Sequence, residues 1–278
     1  MKDMTNRLWA VTAAVMAPAL ISVPALLFAA EEKRSHLDVA FWIGAENFRW
    51  QEFDGNGRRL LTEQGPRLTT GFAAGNRYNQ RQGWIYEYRA IFFTGQVDYD
   101  GQDSNGVFTA SETNYKGGEA ELILGLRNSA YNGQLMVDLL TSIGATGWRR
   151  DIANSINANG FQVIGLIEDY DIYYGRIGLA IGWPTSGGIS QLHVGAKKPL
   201  SIDEEVDLFN VNLSPGKKWS TFARYEFRLP HGRNSTLLRL YYDSFRFSKS
   251  DTKTIGSTPV LQPKSNLDIL GVSLGYLF

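Results

Sequence analysis

The 278-residue chain carries 28 Lys and Arg against 28 Asp and Glu, a formal charge of zero, which argues against a nucleic-acid binder held by a basic face. A mean hydropathy of −0.23 with 43% hydrophobic residues is too polar for a helical membrane bundle, which needs several apolar runs of about 20 residues. Zero cysteines remove disulfides, thiolate metal sites and cysteine nucleophiles together. What stands out instead is 29 glycines and an aromatic set of 7 Trp, 13 Tyr and 15 Phe.

Residues 1–30 have the layout of a secretory signal. Lys2 and Arg7 precede an apolar stretch from Leu8 to Ala30, and charge resumes at Glu31, Glu32, Lys33 and Arg34. Cleavage is expected near residue 29 or 30, leaving 31–278 as one domain. The run is long enough for an uncleaved helical anchor, but Pro18 and Pro24 lie inside it.

From residue 35 onward the dominant spacing is period two, which places alternate side chains on opposite faces of a strand. Trp84, Tyr86, Tyr88, Ala90 and Phe92 alternate with Ile85, Glu87 and Arg89. Ala120, Leu122, Leu124 and Leu126 alternate with Glu119, Glu121 and Arg127, and Trp219 to Phe227 alternate with Arg224, Glu226 and Arg228. The pattern predicts ten strands, near 37–50, 67–78, 83–98, 114–128, 134–148, 165–183, 189–199, 217–229, 236–249 and 266–278. Each is long enough for a tilted transmembrane strand, which needs roughly 9–11 residues.

Short connections (Asn79–Gln82, Ser129–Gly133, Pro184–Gly188, Pro230–Ser235) alternate with long polar ones (Gln51–Pro66, Tyr99–Thr113, Arg149–Ile164, Leu200–Gly216, Ser250–Ser265). An antiparallel up-and-down transmembrane β-barrel has that beat, because its turns are short on one side and its loops long on the other. Twelve strands is the alternative, with Val206–Leu213 as an extra one. A soluble barrel would put apolar residues inside, whereas here the apolar face is the broader one and the charged face belongs in the lumen. Aromatic residues gather at strand ends, with Trp84, Tyr86, Trp183, Phe227 and Tyr276 on the turn side. Trp50, Tyr115, Trp148, Trp219 and Phe247 fall on the loop side, and both groups are expected to form interfacial girdles.

The last strand alternates Leu270, Val272, Leu274, Tyr276 and Phe278. This ending resembles the carboxy-terminal strand of Gram-negative outer-membrane β-barrel proteins. The resemblance implies an outer-membrane location with both termini periplasmic. It also implies contact with outer-membrane lipid and lipopolysaccharide, and an assembly signal at Tyr276 and Phe278 read by the barrel assembly machinery. Five long loops would present a surface for an extracellular ligand whose identity the sequence does not specify.

Barrels of this size include the omptin-like proteases, whose site resembles acidic and Asp-His pairs on the external lip. Asp98 and Asp100 are the nearest match. His36, His193 and His231 all map to the opposite end, a membrane thickness away, and acid–base chemistry needs hydrogen-bond reach. A lipid hydrolase would show a His-x-Ser pair, but residue 195 is Gly. No catalytic residues and no cofactor are therefore expected. The segment Gly101–Glu112 matches an EF-hand calcium loop at Asp103, Asn105, Gly106 and Glu112, yet begins with Gly. It is a candidate for a loop-bound divalent cation, with a solvated acidic loop as the plainer reading. The run Asp203, Glu204, Glu205 and Asp207 is read as solvation, or as a cation bridge to lipopolysaccharide.

In the lumen, Arg77, Arg89, Arg127, Arg176, Lys197, Arg224, Arg228 and Arg239 balance Asp38, Glu46, Glu87, Glu119, Glu121, Asp138, Glu226 and Asp243. A network centred on Glu87, Arg89, Glu121, Arg127, Arg224, Glu226, Arg228, Arg239 and Asp243 is expected to fill the barrel, since confined charges must pair and a ten-stranded interior is narrow. The sequence thus reads as a surface or structural outer-membrane protein with a filled or narrow lumen. A selective porin-like channel is the alternative, ahead of an adhesin or receptor and of an omptin-like protease.

Overall fold

The computed structural model describes residues 37–103, 105–131, 134–256 and 258–278; the expected signal segment and His36 lie outside them. Ten strands form the wall: β1 (Asp38–Phe53), β2 (Arg59–Gly75), β3 (Gly83–Gln102), β4 (Phe108–Ala130), β5 (Leu135–Ile152), β6 (Ile167–Thr185), β7 (Gly188–Val206), β8 (Ser220–His231), β9 (Asn234–Ser248) and β10 (Lys264–Leu277). Each pairs antiparallel with its sequence neighbours. The ring closes where β1 meets β10, with Trp42 opposite Gly275 and Ala45 opposite Val272. Closure satisfies every ladder hydrogen bond without an edge, the condition for crossing lipid with strands. The twelve-strand alternative is not adopted: Val211–Leu213 pairs only with the tip of β7, Glu204 to Val206.

An outward apolar belt girds the half of the barrel nearer the short turns. Ile43, Leu68, Leu139, Ile143 and Leu270 are each more than 60% exposed, while Glu121, Asp138 and Lys197 are at most 1% exposed inside. Trp84, Tyr276 and Phe278 mark one rim of the belt. At the other, the Lys198 ammonium lies 5.7 Å from the centre of the exposed Trp219 ring, an arrangement that keeps the charge at an interface. In β7 the belt runs from about Ser190 to Lys198, and the strand then continues beyond it.

Strands project past the belt further than the period-two reading reaches. The ladder carries Glu52 opposite Leu61 and Gln102 opposite Phe108, so the first two expected long loops shrink to turns at 54–58 and 103–107. Above the lipid both strand faces meet water or protein, and the apolar alternation that marks a strand disappears although its hydrogen bonds do not. The remaining outer loops are longer and carry the small hairpins Ser155–Ile156 with Gln162–Val163 and Lys253–Ile255 with Thr258–Val260.

Two expectations are overturned. Trp50, Tyr115, Trp148 and Phe247 are not a girdle: each is at most 3% exposed and packs inside the barrel. Only Trp219 of that set faces outward. Parity accounts for this, since Trp50 shares the face of Glu46, and Tyr115 that of Glu119 and Glu121. Glu204 is also not a solvated loop charge. Leu200 forms a β-bulge, with Tyr174 opposite Pro199 and Tyr173 opposite Ser201. The extra residue shifts the phase, so Ile202, Glu204 and Val206 turn inward and are buried, while Asp203 and Asp207 stay exposed.

Candidate functional site

The lumen is crossed by side chains in layers. At the turn end, the β2–β3 turn folds into the opening. The amides of Tyr78 and Asn79 donate to Asp38 Oδ2 at 2.9 and 3.1 Å. Arg127 forks onto Asp138 at 2.6 and 2.7 Å and also donates to the carbonyls of Arg77 and Gln80. Arg228 donates to the Tyr78 carbonyl at 2.9 Å. The Tyr78 hydroxyl donates to Glu226 at 3.1 Å, and Arg239 binds both groups. From the same turn Arg77 spans to Glu87 at 3.4 Å and to Gln191 and His193 on β7.

The middle layer is a mesh of ion pairs. Arg67 donates to Glu46 at 2.8 Å, while Arg89 pairs with Glu121 and lies 3.6 Å from Glu119. Arg176 reaches Asp243 at 2.8 Å and Glu121 at 3.5 Å, and the Lys197 ammonium lies 2.6 Å from Asp243. These side chains, Lys197 apart, line a cavity of about 130 Å³.

Above the belt is a third layer that the sequence reading did not anticipate. Arg150, 1% exposed on β5, donates to Glu63 from two nitrogens at 3.0 and 2.9 Å. It also donates to Glu52 at 3.2 Å and Glu168 at 2.6 Å. Neighbours complete the shell: Thr113 and Tyr115 donate to Glu63, Trp50 and Gln262 to Glu52, and Tyr170 to Glu168. Glu204 comes beside them, and neither of its oxygens finds a hydrogen-bond partner. Three carboxylates thus contact one guanidinium, with a fourth beside them. Aromatic rings seal the layer, with Trp148 stacked on Tyr170 at 5.0 Å and Trp50 edge-on to Tyr170 at 5.5 Å. Glu52, Glu63, Arg150 and Glu204 fall in segments expected to be loops, and continuing each strand's parity outward is the sequence signal that finds the first three.

The nine residues expected as a luminal network all lie on the inner face. Glu87 meets Arg77, Arg89 meets Glu121, Arg127 meets Asp138, Glu226 meets Arg239, Arg228 meets a carbonyl, and Asp243 meets Arg176 and Lys197. Arg224 forms no ion pair or hydrogen bond among the described residues; Arg89 and Arg77 oppose its charge, and Glu87 and Glu226 favour it from beyond ion-pair distance.

The loop candidates are not brought together. Asp103 Oδ1 accepts from the amides of Asn105 and Val107, its Oδ2 accepts from Asn157, and Gly106 holds φ at 76° to close that turn. The Val107 amide, with Asn157 next, holds the Asp103 carboxyl below its usual range. Glu112 is engaged by Gln96 on β3. Among the described residues no group of three or more His, Asp or Glu is arranged to hold a metal ion. Asp98 and Asp100 face outward and are exposed, while His193 is luminal at the turn end and His231 lies exposed there. Tyr276 and Phe278 sit on the outer surface at the closing seam, where Phe278 packs edge-on to Phe41 at 6.2 Å and to Tyr276 at 4.9 Å.

No protein-family model and no curated protein matches the chain. Among solved structures it is similar to the outer-membrane protease OmpT from Escherichia coli, with TM-score 0.53 and 6% identity over 90% of this chain and 99% of that one. It also matches the translocator domain of autotransporter NalP from Neisseria meningitidis, with TM-score 0.41 and 13% identity over 97% of both chains. A third match is Ail, the attachment invasion locus protein of Yersinia pestis, with TM-score 0.30 and 11% identity over 87% and 99%. At such identities the likeness concerns the backbone alone. The chain has the closed ten-stranded fold of outer-membrane β-barrel proteins.

Proposed function

We propose that this protein resides in the Gram-negative outer membrane, with its short turns and both described ends periplasmic, and fills a surface or structural role rather than that of an open pore. The observation that carries the reading is the lumen itself, bridged at the turn end by Arg77, Tyr78 and Arg127 and above the belt by Arg150 with its aromatic shell. Lipid and lipopolysaccharide are its partners on this reading, together with the assembly machinery engaging the strand that holds Tyr276 and Phe278. No catalytic residue, cofactor or loop-bound cation is assigned.

Planar-bilayer recording with the purified protein tests the proposal. The parent is expected to show no steady current. Current is expected only after both layers are thinned, by Tyr78→Ala together with Trp148→Ala. A large steady current from the parent would overturn the reading in favour of a selective channel, for which the mid-lumen cavity is the supporting feature. Closed strand pairing also predicts slower or faster migration of the unheated protein relative to the boiled one in detergent gels. Identical migration would remove the membrane-barrel assignment.

A further inference from the structure

The middle layer and the turn-end pairs that adjoin it do not balance. With His193 neutral, their cations are Arg67, Arg77, Arg89, Arg176, Lys197, Arg224 and Arg239. Every one except Arg224 has a carboxylate within ion-pair distance, and between them they use Glu46, Glu87, Glu119, Glu121, Glu226 and Asp243. The guanidinium left over lines the 130 Å³ cavity, and the cavity is also lined by Arg77, Arg89 and Arg176. A confined charge that no carboxylate engages is destabilising. An anion in the cavity relieves that defect. The cavity has room for about four waters at roughly 30 Å³ each, or for one small oxyanion with water beside it. The planar guanidinium fork suits an oxyanion better than any other partner.

We propose that this cavity is a binding site for one small inorganic anion of the phosphate, sulfate or halide class, held by Arg224 with Arg77, Arg89 and Arg176. The anion makes up the missing negative charge beside the one guanidinium of the set that no carboxylate engages. The inner layers around the cavity keep lipid headgroups out, so the source is free anion from the aqueous side. The inference does not rest on the absence of current, because a closed barrel and a selective channel would both carry such a site.

Crystals of the full barrel grown without phosphate and soaked in bromide test it directly. An anomalous peak within hydrogen-bond reach of Arg224 is expected; water alone in the cavity overturns the proposal. In solution, protein refolded in detergent is titrated with inorganic phosphate at constant ionic strength, following the unfolding midpoint. A saturable rise is expected. Arg224→Gln should weaken the phosphate effect at least tenfold, while Arg58→Gln, which alters an exposed loop arginine, should leave it unchanged. No saturable rise in the parent, or the same rise in Arg224→Gln, would show that no anion is bound there. Because the bromide experiment uses the parent, a variant that fails to fold leaves the test intact.

Discussion

Replacing Arg150 with Met should destabilise the barrel by at least about 3–5 kcal/mol, the range for removing one partner of a buried ion pair, while Glu204→Gln should be neutral or stabilising. The difference follows from the shell above the belt. Among the described residues Arg150 is the one cation contacting Glu52, Glu63 and Glu168, so its loss leaves three buried carboxylates facing one another. Glu204 adds a fourth carboxyl for which no ion pair is found among the described residues, and its neutral amide isostere cannot acquire the charge that burial, Glu168 and Glu52 oppose. Burial, with the charges of Glu168 and Glu52 next, pushes the Glu204 carboxyl well above its usual range; burial likewise raises Glu52. A carboxyl whose pKa is raised on folding contributes its full stability below its unfolded pKa of about 4.3, and loses it as pH climbs towards the folded value. The parent should therefore weaken progressively as pH rises from about 4.5, and Glu204→Gln should flatten that decline. Denaturant unfolding at several pH values measures both effects. A parent whose stability rises over that window, or an Arg150→Met variant as stable as the parent, would show that the shell is solvated rather than buried.

How much of this was legible in the sequence divides along the lipid boundary. Within the belt, lipid selects apolar side chains on one face and the lumen selects charges on the other, so Leu122 and Leu124 against Glu121 and Arg127 announce strand, face and depth together. Beyond the belt, water tolerates polar residues on either face. Glu52, Glu63 and Arg150 then read as loop residues although the ladder runs through them. Trp50 and Trp148 misled in the opposite sense, because an aromatic residue at a strand end suits an interface as well as a lumen; only parity with Glu46 and with Asp138 separates the two. The inversion at Leu200 was not legible at all. A bulge leaves no mark in composition, and it alone decides that Glu204 points inward.

The facing assignment carries the second large expected effect. Leu124 is 44% exposed on the outer face of β4, opposite Tyr86 of β3 and Thr141 of β5. It lies between Leu122 and Leu126 within the apolar belt, so an arginine there meets hydrocarbon. A charge at that depth is expected to cost roughly 2–4 kcal/mol, falling towards zero near the interfaces. Leu124→Ala removes only apolar surface that lipid replaces, so its effect should be small by comparison. An arginine eight residues further out on the same strand supplies the control. Lys116 is already an exposed cation on the outer face of β4 above the belt, and Lys116→Arg should change nothing measurable. Reversible unfolding in lipid vesicles gives the three values on one scale. Equal stabilities for Leu124→Arg and Leu124→Ala would mean that Leu124 does not face lipid. Since Glu121 and Arg127 are tied to it by strand parity, the luminal pairing of β4 with Arg89, Arg176 and Asp138 would fall with it.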